Sequence, residues 1–174
     1  MEWREEAIGR QHDRGRFDCG VSDLNQYLSR YARQNHESGG AKTFVAVPPT
    51  APSRVMGYYS ISPGAVAFER VPADLTRRLG RYDVPVFRLA RLAVDLSMQG
   101  RGLGSDLLLA AGLRALSVAA EVGGVALAID AKDESAATWY ERFGGLPLLD
   151  APLRLILPLA VVADATRTAE GRRR

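Results

Sequence analysis

Apolar residues recur along this 174-residue chain with two different periods. Leu24, Tyr27, Leu28 and Tyr31 stand at i, i+3, i+4 and i+7, which predicts an amphipathic helix with Ser22 as its N-cap and Ser38-Gly39-Gly40 as its stop. Residues 42–47 (KTFVAV) and 54–61 (RVMGYYSI) read as strands joined by the PPTAPS turn. Pro63-Gly64 separates them from a third strand over 65–71, and residues 72–80 predict a short helix opened by Pro72 and stopped by Gly80. A long β-rich run follows at 84–94 (VPVFRLARLAV), then the longest helix at 102–121. On a 100°-per-residue wheel Asp106, Arg114, Ser117 and Glu121 fall within an arc of about 80°, so this helix is expected to show one narrow polar stripe and to be buried elsewhere. Gly123-Gly124 stops it, and an apolar strand (125–129), a helix (134–143) and a last strand (153–157) complete the pattern.

Strand–helix–strand–helix–strand order makes the second half α/β, with a buried crossover helix between parallel strands, while the first half adds antiparallel strands. A mixed sheet covered by helices is the expected architecture. No repeat, linker or composition shift divides the chain, which predicts one domain over residues 1–160 and a polar, Arg-rich, frayed tail over 161–174. No apolar run reaches the ~18 residues of a membrane span, and the N-terminus is too acidic for a signal peptide, so a cytoplasmic protein without membrane association is expected.

Composition changes this picture little. The net charge of +3, from 23 basic and 20 acidic residues, equals the contribution of Arg172, Arg173 and Arg174, so bulk charge makes no case for nucleic acid and only local clustering could. Cys19 is the single cysteine, and no Cys/His cluster has metal-ligand spacing, so no metal is expected. Histidine catalysis would have to rest on His12 or His36.

The most informative stretch is Gln99-Gly100-Arg101-Gly102-Leu103-Gly104-Ser105, between the long strand and the long helix. Glycines let a ligand approach the backbone, and a helix N-terminus offers N–H donors and a positive dipole end, a combination suited to phosphate. The same residues also suit a plain strand-to-helix turn. A P-loop is excluded because no lysine is in reach, and a dinucleotide fingerprint would need Gly or Ala at Ser105. The spacing that does match is Gln-x-x-Gly-x-Gly, at Gln99, Gly102 and Gly104.

That motif resembles the pyrophosphate loop of the GNAT N-acetyltransferases. Arg91-Leu-Ala-Val-Asp95 is similar to the family strand that pairs with the pantetheine arm, and the segment from Asp133 to Gly144 is similar to the next helix, with its tyrosine at Tyr140. The resemblance implies a single GNAT-like domain, α/β, with a mixed, mostly antiparallel sheet, a central parallel pair and flanking helices. It implies acetyl-CoA as co-substrate, bound by Leu92, Ala93, Val94, Gln99, Gly100, Arg101, Gly102, Leu103, Gly104, Ser105 and Asp133. Phe17-Asp-Cys-Gly20, Arg30 to Asn35, Thr43-Phe44-Val45, Gly57-Tyr58-Tyr59-Ser60, Ala131-Lys132-Asp133 and the ending Leu153 to Leu159 resemble the toxin branch of bacterial toxin–antitoxin systems. That branch implies acetylation of the α-amino group of aminoacyl-tRNA, a block to translation and a ribbon-helix-helix antitoxin as partner, and it allows a homodimer. The alternative is a GNAT enzyme acting on a small amine or a protein N-terminus. One departure is visible: Gly144-Gly145 stands where the family usually has Gly-Phe, which implies weaker packing at the helix end.

Acetyl transfer to an amine needs a donor for the departing thiolate. Tyr140 is the candidate general acid, since a phenol of pKa ~10 is protonated at neutral pH and would lose activity only on an alkaline limb. The competing role is core packing beside Trp139 and Phe143. A backbone N–H near Val94 would hold the thioester oxygen. Arg30 and Arg33, with Arg77, Arg78 and Arg81, are candidate tRNA-phosphate contacts or simply a solvated arginine face.

Overall fold

Two strands, β3 (Gly57–Val66) and β4 (Val84–Val94), organise the computed structural model, which describes residues 2–171. Their residues are shared between two compact units, Met1–Ser62 with Ala90–Ala111 and Pro63–Leu89 with Gly112–Arg174.

In the first unit, β1 (Arg4–Ala7), β2 (Lys42–Val47) and β3 pair antiparallel, with Arg4 opposite Val47 and Lys42 opposite Ile61. The sequence REEA of β1 has no apolar alternation, so no strand is expected there; it is a short, charged edge, the kind that discourages further pairing. The predicted first helix is three pieces: α1 (Ser22–Gln26), a π turn (Tyr27–Tyr31) and α2 (Ala32–Ser38). Ser22 is not its cap. Val21 holds that position without a side-chain bond, and the Asn25 carboxamide and Asp18 carboxylate take the preceding amides of Cys19 and Gly20 instead. The π turn inserts one residue, so the inward stripe runs Leu24, Tyr27, Leu28 and then Ala32, leaving Tyr31 53% exposed. Gly39, in the left-handed region, ends α2 as expected. Tyr58 centres this unit's core, with Phe17 edge-on at 5.5 Å, Tyr27 stacked at 6.4 Å, and its hydroxyl donating to Leu24 O.

In the second unit, β4 pairs parallel with β5 (Ala126–Asp130), and β5 antiparallel with β7 (Ala151–Pro158), which also holds β6 (Leu146–Leu148). The seven-stranded order is β1-β2-β3-β4-β5-β7-β6, a mixed sheet with one parallel pair, as expected. The third strand expected over 65–71 is absent. β3 runs through Pro63-Gly64 to Val66, because Gly64 leaves room for the Arg88 stem, and a 3-10 turn follows at Phe68–Arg70. The helix expected over 72–80 shrinks to α3 (Ala73–Thr76).

The crossover is α4 (Leu103–Val122). Leu103, Leu107, Leu108, Ala111 and Ala115 are buried, but Leu109, Leu113, Val118 and Val122 are exposed, so the expectation of a single polar stripe on an otherwise buried helix is wrong. A helix laid on a sheet buries one side only. α4 is also long and apolar enough to cross a membrane by length and composition, contrary to the expectation that no such run exists. The frayed tail expected from residue 161 is helix α6 (Leu159–Gly171): Leu159 and Val162 are buried, and Val162 fills the space beside Gly112. Residues 172–174 of that tail lie outside the described residues.

Candidate functional site

In the first unit, the end of β4 runs into a glycine loop fixed from below. The Gln99 amide donates to Val94 O (2.9 Å) and to Cys19 O (3.1 Å), so this side chain ties the loop to the end of its own strand and to the segment before α1. The Asp95 carboxylate accepts from the amides of Asp18 and Ser97 and from the Ser97 hydroxyl. Burial pushes Asp95 up, but these bonds and nearby Arg54 outweigh it and hold the carboxyl below the usual range. Asp95 is therefore an ionised staple at the strand end.

Gly100 (φ +73°) and Gly102 (φ +88°) take the left-handed backbone that L side chains rarely adopt, and a Cβ on Gly100 would meet nothing within 4 Å. The first helical bond of α4 runs from Asp106 N–H to Gly102 O, so the amides of Leu103, Gly104 and Ser105 precede the ladder. A loop open to approach, tied from beneath and ending on such donors has the geometry that suits an anionic group. Leu92, Ala93 and Val94 lead into it, past the last β4–β5 register pair, Leu89 with Ile129.

In the second unit, α5 (Glu134–Glu141) carries Tyr140. Asp133 is its N-cap, accepting from Ala136 N–H at 2.7 Å, so its carboxylate serves the helix start. The Tyr140 ring lies edge-on to Trp139 at 4.9 Å, and Trp139 contacts Phe143 at 4.7 Å. Burial pushes the Tyr140 phenol up to about 12, and its hydroxyl has no hydrogen-bond partner among the described residues. The aromatic contacts fit the packing role, and the unpartnered hydroxyl, protonated at neutral pH, fits the acid role.

Both histidines are structural. His12 is buried, accepts from Gly9 N–H through Nδ1 and bonds Glu6 through Nε2, while His36 accepts from Thr43 N–H. Cys19 is buried, and its thiol donates to Val21 O. Among the described residues no group of His, Cys, Asp and Glu could hold a metal ion. Of the five candidate phosphate-binding arginines, Arg33 pairs with Glu37 and Arg77 with Asp74, whereas Arg30, Arg78 and Arg81 are exposed. Sequence reasoning gave Arg91 no role; its guanidinium lies 3.7 Å over the Tyr27 ring, a contact between β4 and the π turn that linear spacing does not signal.

No family model matches the chain. Over 141 residues, spanning 81% of this chain and 82% of the relative, it is 37% identical to the tRNA-acetylating toxin of Mycobacterium tuberculosis (strain ATCC 25618 / H37Rv). The chain belongs to this family of GNAT toxins. A probable toxin TacT of Sinorhizobium fredii (strain NBRC 101917 / NGR234) is 24% identical over 160 residues, 87% of this chain and 88% of that one. Among solved structures, AtaT complexed with acetyl-methionyl-tRNAfMet matches with a TM-score of 0.88 and 25% identity over 95% of this chain and 99% of that one. AtaTR bound with acetyl-CoA matches at 0.79 and 28% over 94% and 98%.

For a GNAT toxin, the Gly144-Gly145 departure now has a local reason. A Cβ on Gly145 would stand 3.0 Å from Tyr140 O and 3.4 Å from the Leu155 side chain, and the Gly145 amide donates to Tyr140 O. The second glycine lets the turn close tightly on the carbonyl of the candidate acid, so the helix end is not loosely packed, as the departure had implied.

Proposed function

We propose that this toxin transfers the acetyl group of acetyl-CoA to the α-amino group of an aminoacyl-tRNA in the cytoplasm, and so stops translation. The observation that carries the reading is the likeness, across four-fifths of the chain, to a tRNA-acetylating toxin. AtaT in complex with acetyl-methionyl-tRNAfMet supports the acceptor, and AtaTR bound with acetyl-CoA supports the donor.

In this reading the amides of Leu103, Gly104 and Ser105, with the glycines at 100, 102 and 104 and the Arg101 side chain, receive the pyrophosphate. The backbone of Leu92, Ala93 and Val94 lines the extended arm, and Gln99 and Asp133 act indirectly, as loop tie and helix cap. The acceptor amine loses its proton to water, because the α-amino group of an ester is weakly basic. Its nitrogen then forms a bond to the thioester carbon and gives up its second proton to water as the C–S bond breaks, while the Tyr140 hydroxyl donates a hydrogen bond to the sulfur as negative charge develops there, and the released thiolate takes its proton from solvent. A phenol near 12 is a weaker acid than an ordinary thiol of pKa ~8.5, so Tyr140 stabilises the leaving thiolate chiefly as a hydrogen-bond donor and is not consumed. Exposed Arg30, Arg78 and Arg81 attract tRNA phosphates, while Arg33 and Arg77 are already paired with Glu37 and Asp74. The partner is an antitoxin of ribbon-helix-helix type; AtaT is seen with its antitoxin AtaR and with DNA.

Cell-free translation tests the proposal. The purified protein should arrest synthesis when acetyl-CoA is supplied and not without it, and a ribbon-helix-helix protein encoded beside it should restore synthesis. Undisturbed translation by a folded protein that binds acetyl-CoA would reject it.

A further inference from the structure

The second unit holds a cavity of about 130 Å³ that the acetyl-transfer site does not use. Sheet register places Arg88, Ala128 and Ile156 side by side on one face, and Asp130 with Arg154 in the next row of that face. Val66, Val86, Ala128 and Leu148 give the cavity apolar walls, while Arg70, Arg88 and Arg154 supply charge.

These arginines are built in place. Asp130 takes Arg88 Nη2 at 2.9 Å and Arg154 Nε at 3.3 Å, one carboxylate shared by two guanidiniums, and Arg70 is paired to Asp150. A Cβ on Gly64 would stand 2.8 Å from Arg88 Cγ, so the glycine is what lets the Arg88 stem lie across β3. Three cations against two carboxylates leave one surplus positive charge. The Arg88, Arg154 and Asp130 side chains are each about half exposed, so as a stabilising network they would contribute little. The volume is far below the ~300 Å³ at which small-molecule pockets begin, and amounts to roughly four waters. It admits one group, not a cofactor.

The cavity also has a definite relation to α5. Asp130 lies three residues before Asp133, the cap of that helix. The turn after α5 packs through Gly144 and Gly145 against Leu157 and Leu155, which belong to the opposite face of β7. Leu155 also lines the cavity, so the turn after α5 packs against one of the cavity's own residues.

We propose that this cavity is an acceptor subsite: its surplus guanidinium charge binds one phosphodiester at the single-stranded 3′ end of the tRNA. The inference rests on the proposed function, and its test separates the two. Binding of a short RNA ending in CCA is measured against salt concentration for the full-length wild type and for Arg154→Ala and Arg70→Ala. Each variant should bind about tenfold more weakly, and the slope of log affinity on log salt should become shallower by about 0.7, one single-strand phosphate contact. Unchanged acetyl-CoA affinity shows that the variants are folded. With charged tRNA as acceptor, KM should rise and kcat stay within about twofold, while acetylation of an amino-acid methyl ester, which has no phosphate, should not change. Equal RNA affinity and equal salt slope in the variants would overturn the subsite. Failure of the wild type to acetylate charged tRNA would instead reject the proposed reaction, and the RNA-binding arm would still decide the subsite.

Discussion

Replacing Tyr140 with phenylalanine is expected to lower kcat by about 10²–10⁴ while acetyl-CoA affinity stays within a few-fold. The substitution removes one hydroxyl and keeps the ring, so the contact with Trp139 at 4.9 Å survives and stability should change little. No described residue hydrogen-bonds that hydroxyl, so no structural bond is lost with it. Burial also sets the pH behaviour. An ordinary phenol would place an alkaline limb near pH 10, but desolvation moves Tyr140 to about 12. The wild-type rate should rise as the acceptor amine deprotonates and then stay level to pH 10, with no descending limb from Tyr140. The raised pKa also means that the folded state holds this proton more tightly than the unfolded chain. Its effect on stability is therefore nil below about pH 10, and stability falls between about 10 and 12. Steady-state kinetics decide the role: near-normal kcat in the variant would make Tyr140 a packing residue, and a loss confined to acetyl-CoA affinity would make it a binding residue.

Gly104→Glu should weaken acetyl-CoA binding by at least a hundredfold, about 2.7 kcal/mol, in a protein that remains folded. Residue 104 lies in the first turn of α4, where glutamate is a good helix former and an acidic side chain suits the dipole. The fold therefore tolerates the change, while the new carboxylate competes for the donors that would receive pyrophosphate. Gly102→Glu should be equally inactive but less stable, because residue 102 has φ +88°. Calorimetric titration with acetyl-CoA, beside thermal unfolding, separates the two effects. Unchanged affinity in folded Gly104→Glu would remove the glycine loop from the cofactor site.

The glycine-bearing start of α4 and the helix that carries Tyr140 were legible in the sequence because each is a contiguous stretch whose local structure depends on neighbours in the chain. The long strand β4, the crossover helix and the parallel pair were legible from periodicity. Features set by tertiary context were not. Arg4–Ala7 has no apolar pattern, since an edge strand needs backbone pairing more than side-chain burial. The π turn is invisible to a 3.6-residue template, which is why Tyr31 was expected inside and Ala32 is found there. The C-terminal helix reads as polar because it buries little beyond Leu159 and Val162. The guanidinium cavity draws on β4, β5, β7 and the turn after β3, so no linear spacing announces it.

Incubation with labelled acetyl-CoA and total charged tRNA, followed by nuclease digestion and mass analysis of the 3′-terminal aminoacyl-adenosine, tests the central claim most directly. The account predicts acetyl on the α-amino nitrogen of the aminoacyl group, dependent on active Tyr140 and abolished when the tRNA is deacylated beforehand. Aminoacyl-adenosine without acetyl, together with label on a small amine or a protein N-terminus, would contradict it.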